Sequence, residues 1–153
     1  MISYKVADQK DLPALQELNL ELFVDNQQYD KDLDMNWSKS KKGEKLFLDL
    51  LNNPEAICLI AFEDKQAIGY LAASPRKLND VLSKYLEINN VEVLPNFQSK
   101  GIGSELIKRC LEWAKEKAYQ KVYVNSYFEN KRAVYFYKRN GFSEIDLGLQ
   151  QDL

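Results

Sequence analysis

The stretch Tyr85–Ser104 constrains the fold most. A strand-length run, Tyr85–Leu94, is stopped by Pro95-Asn96 and followed by Gly101 and Gly103 at the head of a helical pattern. Ile102, Leu106, Cys110, Trp113 and Ala114 mark one face of that helix, and Glu105 precedes Arg109 in the favoured order for an ion pair. A strand that hands over to a helix through such a loop requires a crossover unit, so the back half of the chain must be α/β. The turn also points unpaired N–H groups outward at the positive end of the helix dipole. Glycine allows a phosphate to approach there, while Lys100 adds charge and Ser104 a hydroxyl. A diphosphate is the natural guest; the plainer alternative is a glycine-softened helix start with no ligand.

The other elements fit around this unit. Ile2–Val6 reads as a strand, and Asp8, Asp11 and Pro13 open a helix carrying Leu12, Leu15, Leu18 and Leu22 on one stripe. Asp25–Trp37 reads as an acidic loop, and Leu46, Phe47, Leu50 and Leu51 as a second helix ending near Asn52-Asn53-Pro54. Ala56–Phe62 and Ala67–Ser74 are strands joined by a hairpin turn at Glu63–Gln66. Lys121–Ser126 is a strand, Asn130–Asn140 a short helix stopped by Gly141, and Phe142 to about Leu149 a last strand. The order is βααβββαβαβ, an α/β (α+β) mixture with an antiparallel front half and parallel crossovers behind. At 153 residues, with no linker or repeat, the chain predicts a single domain over 1–153.

Composition narrows the chemistry. There are 0 histidines, which excludes Ser–His and Cys–His nucleophiles and His-based zinc sites, and no metal is expected. Any general base must be a carboxylate, Lys, Tyr or water. A net charge of −2 gives no footprint for nucleic acid. Cys58 and Cys110 sit in apolar stretches and read as reduced core thiols. No apolar run reaches membrane-spanning length and no signal-peptide pattern opens the chain, which predicts a cytoplasmic protein without a membrane partner.

The P-loop pattern is absent, and the dinucleotide pattern G-x-G-x-x-G fails at Leu106, which argues against a Rossmann-type nucleotide binder. Instead, Gln98-x-x-Gly101-x-Gly103 after Val93-Leu94-Pro95 resembles the pyrophosphate motif of the GNAT superfamily of N-acetyltransferases. Asn130-x-x-Ala133-x-x-Phe136-Tyr137-x-x-x-Gly141-Phe142 resembles that superfamily's second cofactor motif. The opening Val6-Ala7-Asp8 to Leu15 and the order of elements are similar too, so the resemblance covers nearly the whole chain. The short tail after Phe142 departs from the usual two final strands.

The resemblance implies a GNAT-type fold: a central mixed sheet, parallel strands splayed at a cofactor cleft, and about four flanking helices. It implies acetyl-CoA held by Gln98, Ser99, Lys100, Gly101, Ile102, Gly103 and Ser104, by the backbone of Val91 and Val93, and by Asn125, Asn130, Ala133 and Tyr137. Helical spacing independently places Asn130, Ala133 and Tyr137 on one face. An N–H near Val93 or Leu94 would polarise the thioester, and Tyr137 would be the acid; packing against the sheet is the other reading of Tyr137. Glu87 is the first choice of base and Glu92 the second, against a solvated strand-face carboxylate for either. The acceptor would be an amine, on a small molecule or a peptide, and the acidic loop would attract a cationic one such as a polyamine, an aminoglycoside or a lysine side chain. Tyr29, Asp30, Asp32 and Trp37 would form its site, unless that loop is merely solvated acid. A homodimer is left open, and an acyl-CoA-binding regulatory module without catalysis is the competing function.

Overall fold

The computed structural model describes all of residues 1–153. Strand β1 (Ile2–Val6) leads through one 3-10 turn, boxed by the Asp8 and Asp11 side chains, into α1 (Leu12–Asn26). Helix α2 (Lys41–Asn52) starts at Ser40, whose hydroxyl accepts from the Gly43 N–H at 3.1 Å. Strands β2 (Ile57–Glu63) and β3 (Gln66–Arg76) form a hairpin closed by Asp64-Lys65, with Asp64 at φ 53°. Then follow β4 (Tyr85–Val93), α3 (Ile102–Glu116), β5 (Lys121–Val124) and α4 (Lys131–Arg139).

The five strands lie in chain order. All neighbours are antiparallel except β4 and β5, which run parallel across the α3 crossover. Each face of the sheet buries its own apolar layer. Ile57, Leu59, Leu71, Leu86 and Ile88 pack under Leu106, Ile107 and Cys110 of α3. On the other face Cys58, Ile60, Tyr70 and Ala72 pack under Leu15, Leu18, Phe47 and Leu50 of α1 and α2. Both cysteines are free and buried, and the Glu105–Arg109 pair closes at 2.8 Å. No helix is long and apolar enough to cross a membrane.

One irregularity positions the site. The β3–β4 register jumps from Ala72↔Asn90 to Ala73↔Ile88, leaving Asn89 as an extra residue in β4. That bulge resets the alternation, so Leu86, Ile88, Val91 and Val93 all face α3, and Glu92, opposite Tyr70, faces α1. Pairing with β5 ends at Ile88↔Val124, where the bulge begins, and the two strands part beyond it.

The expected last strand is not formed: residues 142–153 join no strand of the sheet. Ile145, Leu147 and Leu149 alternate as a strand would, but all three lie exposed. Alternation supplies one apolar face, whereas a strand also needs a neighbour to bond.

Candidate active site

Beyond Ile88 the edge of β4 is open. The Leu94 N–H donates to the Ile68 carbonyl at 2.8 Å, so by ladder alternation the peptide N–H groups of Val91 and Val93 point away from β3, toward the gap. Leu94, one of two residues expected to polarise a carbonyl, is therefore corrected: its donor is already used. Gln98 does not stand free either. Its Nε2 donates to the Val93 carbonyl at 2.8 Å and folds the loop back onto the strand.

The loop that follows leaves backbone N–H groups free. Ser99 at φ 62° and Gly101 at φ 83° both take left-handed backbone, a geometry that turns successive N–H groups inward. No side chain caps α3, whereas Ser40 caps α2 and Asn130 caps α4. The N–H groups of Ile102, Gly103 and Ser104 thus stay free at the head of α3, the first intrahelical bond running from the Glu105 N–H to the Gly101 carbonyl at 3.0 Å. Ile102 contributes only its peptide group, since its side chain is buried under the sheet. The Lys100 ammonium lies 5.5 Å from the Phe97 ring at the loop surface. Gly103 has a packing reason of its own: a Cβ there would meet the Phe136 ring at 3.0 Å. Its missing side chain lets α4 lie against the head of α3.

Asn130 spends its oxygen on the α4 cap, accepting from the Ala133 N–H at 3.1 Å. Ala133 and Tyr137 follow on the same face, both half-buried. The Tyr137 ring is wedged edge-on between Phe136 and Phe142, and its hydroxyl has no hydrogen-bond partner in the protein. Burial, then the nearby Glu92 carboxyl, pushes that hydroxyl up to about 12, so it keeps its proton. Asn125 lies just past the end of β5, exposed.

The two candidate bases occupy different places. Glu87 is paired in register with Tyr123, where β4 and β5 still bond, and its carboxylate faces Arg76 at 3.5 Å. That guanidinium lies 3.6 Å from the centre of the Tyr123 ring. Glu92 lies beyond the bulge and is 6% exposed, with no ion pair. Burial first, then Asp25, pushes its carboxyl up to about 9.

The expected acceptor loop divides. Asp25 belongs to α1, not to the loop, and reaches Glu92. Tyr29 stacks on Tyr127 at 5.6 Å, and the Tyr127 hydroxyl donates to Asp30 at 3.2 Å, tying the end of α1 to the segment after β5. Asp32 is exposed, with its N–H held by Asp30 at 3.0 Å. Trp37 is corrected to a packing residue: its ring lies between Phe23, at 5.7 Å, and Phe47, at 6.4 Å. Asp25 was read as part of the acidic loop rather than of α1, although the heptad step from Leu18 signalled the helix, and Tyr127 was missed from sequence.

The site is thus a mixed sheet splayed at its parallel pair, with an uncapped helix at the mouth of the gap. Residues 13–142 match the acetyltransferase (GNAT) family model, and the chain belongs to that family. An uncharacterised N-acetyltransferase of Methanocaldococcus jannaschii is 29% identical over 72% of this chain, which spans only 50% of that relative's length. The uncharacterised N-acetyltransferase YhfO of Bacillus subtilis is 26% identical over 67% of this chain and 70% of its own. Among solved structures, the aminoglycoside N-acetyltransferase AAC(6')-Iy in complex with CoA superposes with a TM-score of 0.77 at 18% identity, covering 100% of this chain and 95% of that one. The BH1408 protein of Bacillus halodurans, solved as a tetramutant, gives 0.83 at 14% identity, with 99% of each chain covered. At such identities these structures establish the shared fold.

Proposed function

We propose that the chain transfers an acetyl group from acetyl-CoA to a primary amine by direct attack in a ternary complex. One observation carries this reading: the open edge of β4, at Val91 and Val93, leads directly to the uncapped head of α3. A long molecule with a diphosphate at one end and a peptide-like arm fits both. The N–H groups of residues 99–104, with Lys100, would hold the diphosphate. Val91 and Val93 would bond the arm as a sheet bonds an added strand. From the loop toward the bulge the arm passes Val93 first, which puts the Val91 N–H at its far end.

Acetyl-CoA, when bound, supplies an acyl carbon activated as a thioester. The Val91 N–H then faces the oxygen that gathers negative charge, and loss of one such donor elsewhere costs about 3 kcal/mol of barrier. Glu92, beside Tyr137 and on the α1 side of β4, takes the proton from the incoming ammonium; its position favours it over Glu87. The Tyr137 hydroxyl donates to the departing sulfur. Small-molecule amines are the acceptors we favour, in line with the aminoglycoside acetyltransferase among the structural neighbours. Steady thiol release from acetyl-CoA with a panel of primary amines tests the assignment. Binding of CoA without thiol release would instead indicate a regulatory module.

A further inference from the structure

Past Ile88 and Val124 the β4–β5 ladder no longer joins the two walls of the cleft. One wall is β4 with α1 packed against it; the other is the segment after β5, leading into α4. Two contacts join the walls again, one on each face of the sheet. On the α3 face, the Phe136 ring of α4 lies where a Cβ on Gly103 would stand. On the α1 face, Tyr127 meets the turn after α1. Its ring stacks on Tyr29, with centroids 5.6 Å apart and planes 23° apart, and its hydroxyl donates to Asp30 at 3.2 Å.

Both sides of this bridge are held by their own backbone. The N–H groups of Tyr29 and Asp30 donate to the Asn26 carbonyl at 2.9 and 3.1 Å, which extends α1 by a turn. The Tyr127 carbonyl accepts from the Asn130 N–H at 2.9 Å, and Asn130 caps the helix that carries Ala133 and Tyr137. Tyr29, Asp30 and Tyr127 are all half-buried, whereas the next aromatic residue, Phe128, is 70% exposed against Lys131. Burial first, then Asp30, holds the Tyr127 hydroxyl above the ordinary tyrosine range, so it stays a protonated donor. Glu92 lies on the α1 face, and Tyr137 approaches it from α4. With the α3 face taken by the helix head and the cofactor, an acceptor has to enter on the α1 face, which Tyr127 crosses.

We propose that Tyr127 is a specificity-determining residue: its bridge to Asp30 and Tyr29 fixes the width of the acceptor opening, and so how much bulk an amine can carry beside its reacting nitrogen. This rests on the acetyltransferase reading and adds a residue to it. Tyr127 acts by position, holding the two walls at a set distance, and takes no part in the transfer of the acetyl group or of a proton.

The test compares n-hexylamine with cyclohexylamine, which have equal carbon number and similar basicity but differ in bulk at the carbon bearing nitrogen. Thiol release from acetyl-CoA gives kcat/KM for each amine, and calorimetry gives the Kd for acetyl-CoA. In Tyr127→Phe, which keeps the ring for Tyr29, the ratio of cyclohexylamine to n-hexylamine should rise about fivefold, the equivalent of one hydrogen bond. The gain should lie in a lower KM for cyclohexylamine, with the Kd for acetyl-CoA unchanged. Asp30→Ala should give the same rise, and the double variant no more than either, because both remove one bond. Asp30→Asn keeps an acceptor oxygen and should stay at the wild-type ratio. Melting temperatures check that each variant is folded. An unchanged ratio in Tyr127→Phe and Asp30→Ala, with both amines turned over, would overturn the inference and leave the acetyltransferase standing. An equal loss of turnover on both amines would reduce the bridge to a structural role and overturn it as well. No thiol release by the wild type with any primary amine would overturn the acetyltransferase reading and this inference together.

Discussion

Tyr137 keeps its proton at neutral pH, and that sets what it can do. With its hydroxyl at about 12 and a free thiol near 8.5, complete transfer to a thiolate runs uphill. In the proposed reaction the phenol would therefore work as a neutral hydrogen-bond donor to the leaving sulfur. Tyr137→Phe keeps the ring wedged between Phe136 and Phe142 and should lower kcat about 100-fold, with the Kd for acetyl-CoA nearly unchanged. Equal turnover in stopped-flow assays would remove this role. Glu92 carries the second prediction at this scale. Its folded-state value near 9, against an ordinary 4.5, means the folded chain holds a proton that the unfolded chain has released. Stability should fall as pH rises between those limits. The groups facing it are Asp25 and Glu21 from α1, Tyr70 from β3 and Tyr137 from α4, none of them a cation. Glu92→Gln should melt above the wild type at pH 9, by on the order of 2 kcal/mol in stability, with the gap closing near pH 5. The same variant should lose the rise in kcat/KM toward pH 9 that a base of this kind gives.

Among the elements, the close contact of α3 with α4 depends on one absent side chain. Gly103→Ala drives a methyl group into the Phe136 ring and should destabilise the fold by about 1–3 kcal/mol, read by chemical denaturation. Adding Phe136→Leu should restore part of the loss; no restoration would mean that the glycine serves something other than packing. This glycine also shows where sequence reading stopped. Gly101-x-Gly103 marked the turn into α3, but a phosphate-facing glycine and a helix-packing glycine look alike without Phe136 in place. The strands of the front half, the α3 crossover and the Gly141 stop, at φ 96°, were legible because each has a local cause. The tail was not, since Ile145, Leu147 and Leu149 alternate as a strand would and pairing is a non-local fact. Helix α1 continues through Asp25 for the complementary reason: an acid on the buried stripe reads as the start of a loop until β4 supplies Glu92 as its neighbour.

Across the whole molecule, a single extra residue at Asn89 links fold to site. It ends the β4–β5 ladder, opens the edge at Val91 and Val93, and turns Glu92 toward α1. The cleft that results has a donor-rich end, at the head of α3, and an acceptor-rich end, at Glu92, Asp25 and Asp30. An anionic cofactor and a cationic amine would each find their complement there, without competing for one surface. Most of the donor end was legible from two motifs; the acceptor end was not, because its groups lie on α1, β4 and the segment after β5, far apart in the chain. The account depends first on the donor end. The measurement that tests it most directly is the melting temperature with saturating acetyl-CoA, beside CoA and NAD. At a hundredfold over Kd the bound state gains about 2.7 kcal/mol, hence a rise of roughly 5–10 °C for a domain of this size. A rise with both CoA species and none with NAD is the result the account predicts; no rise with either CoA species would contradict it.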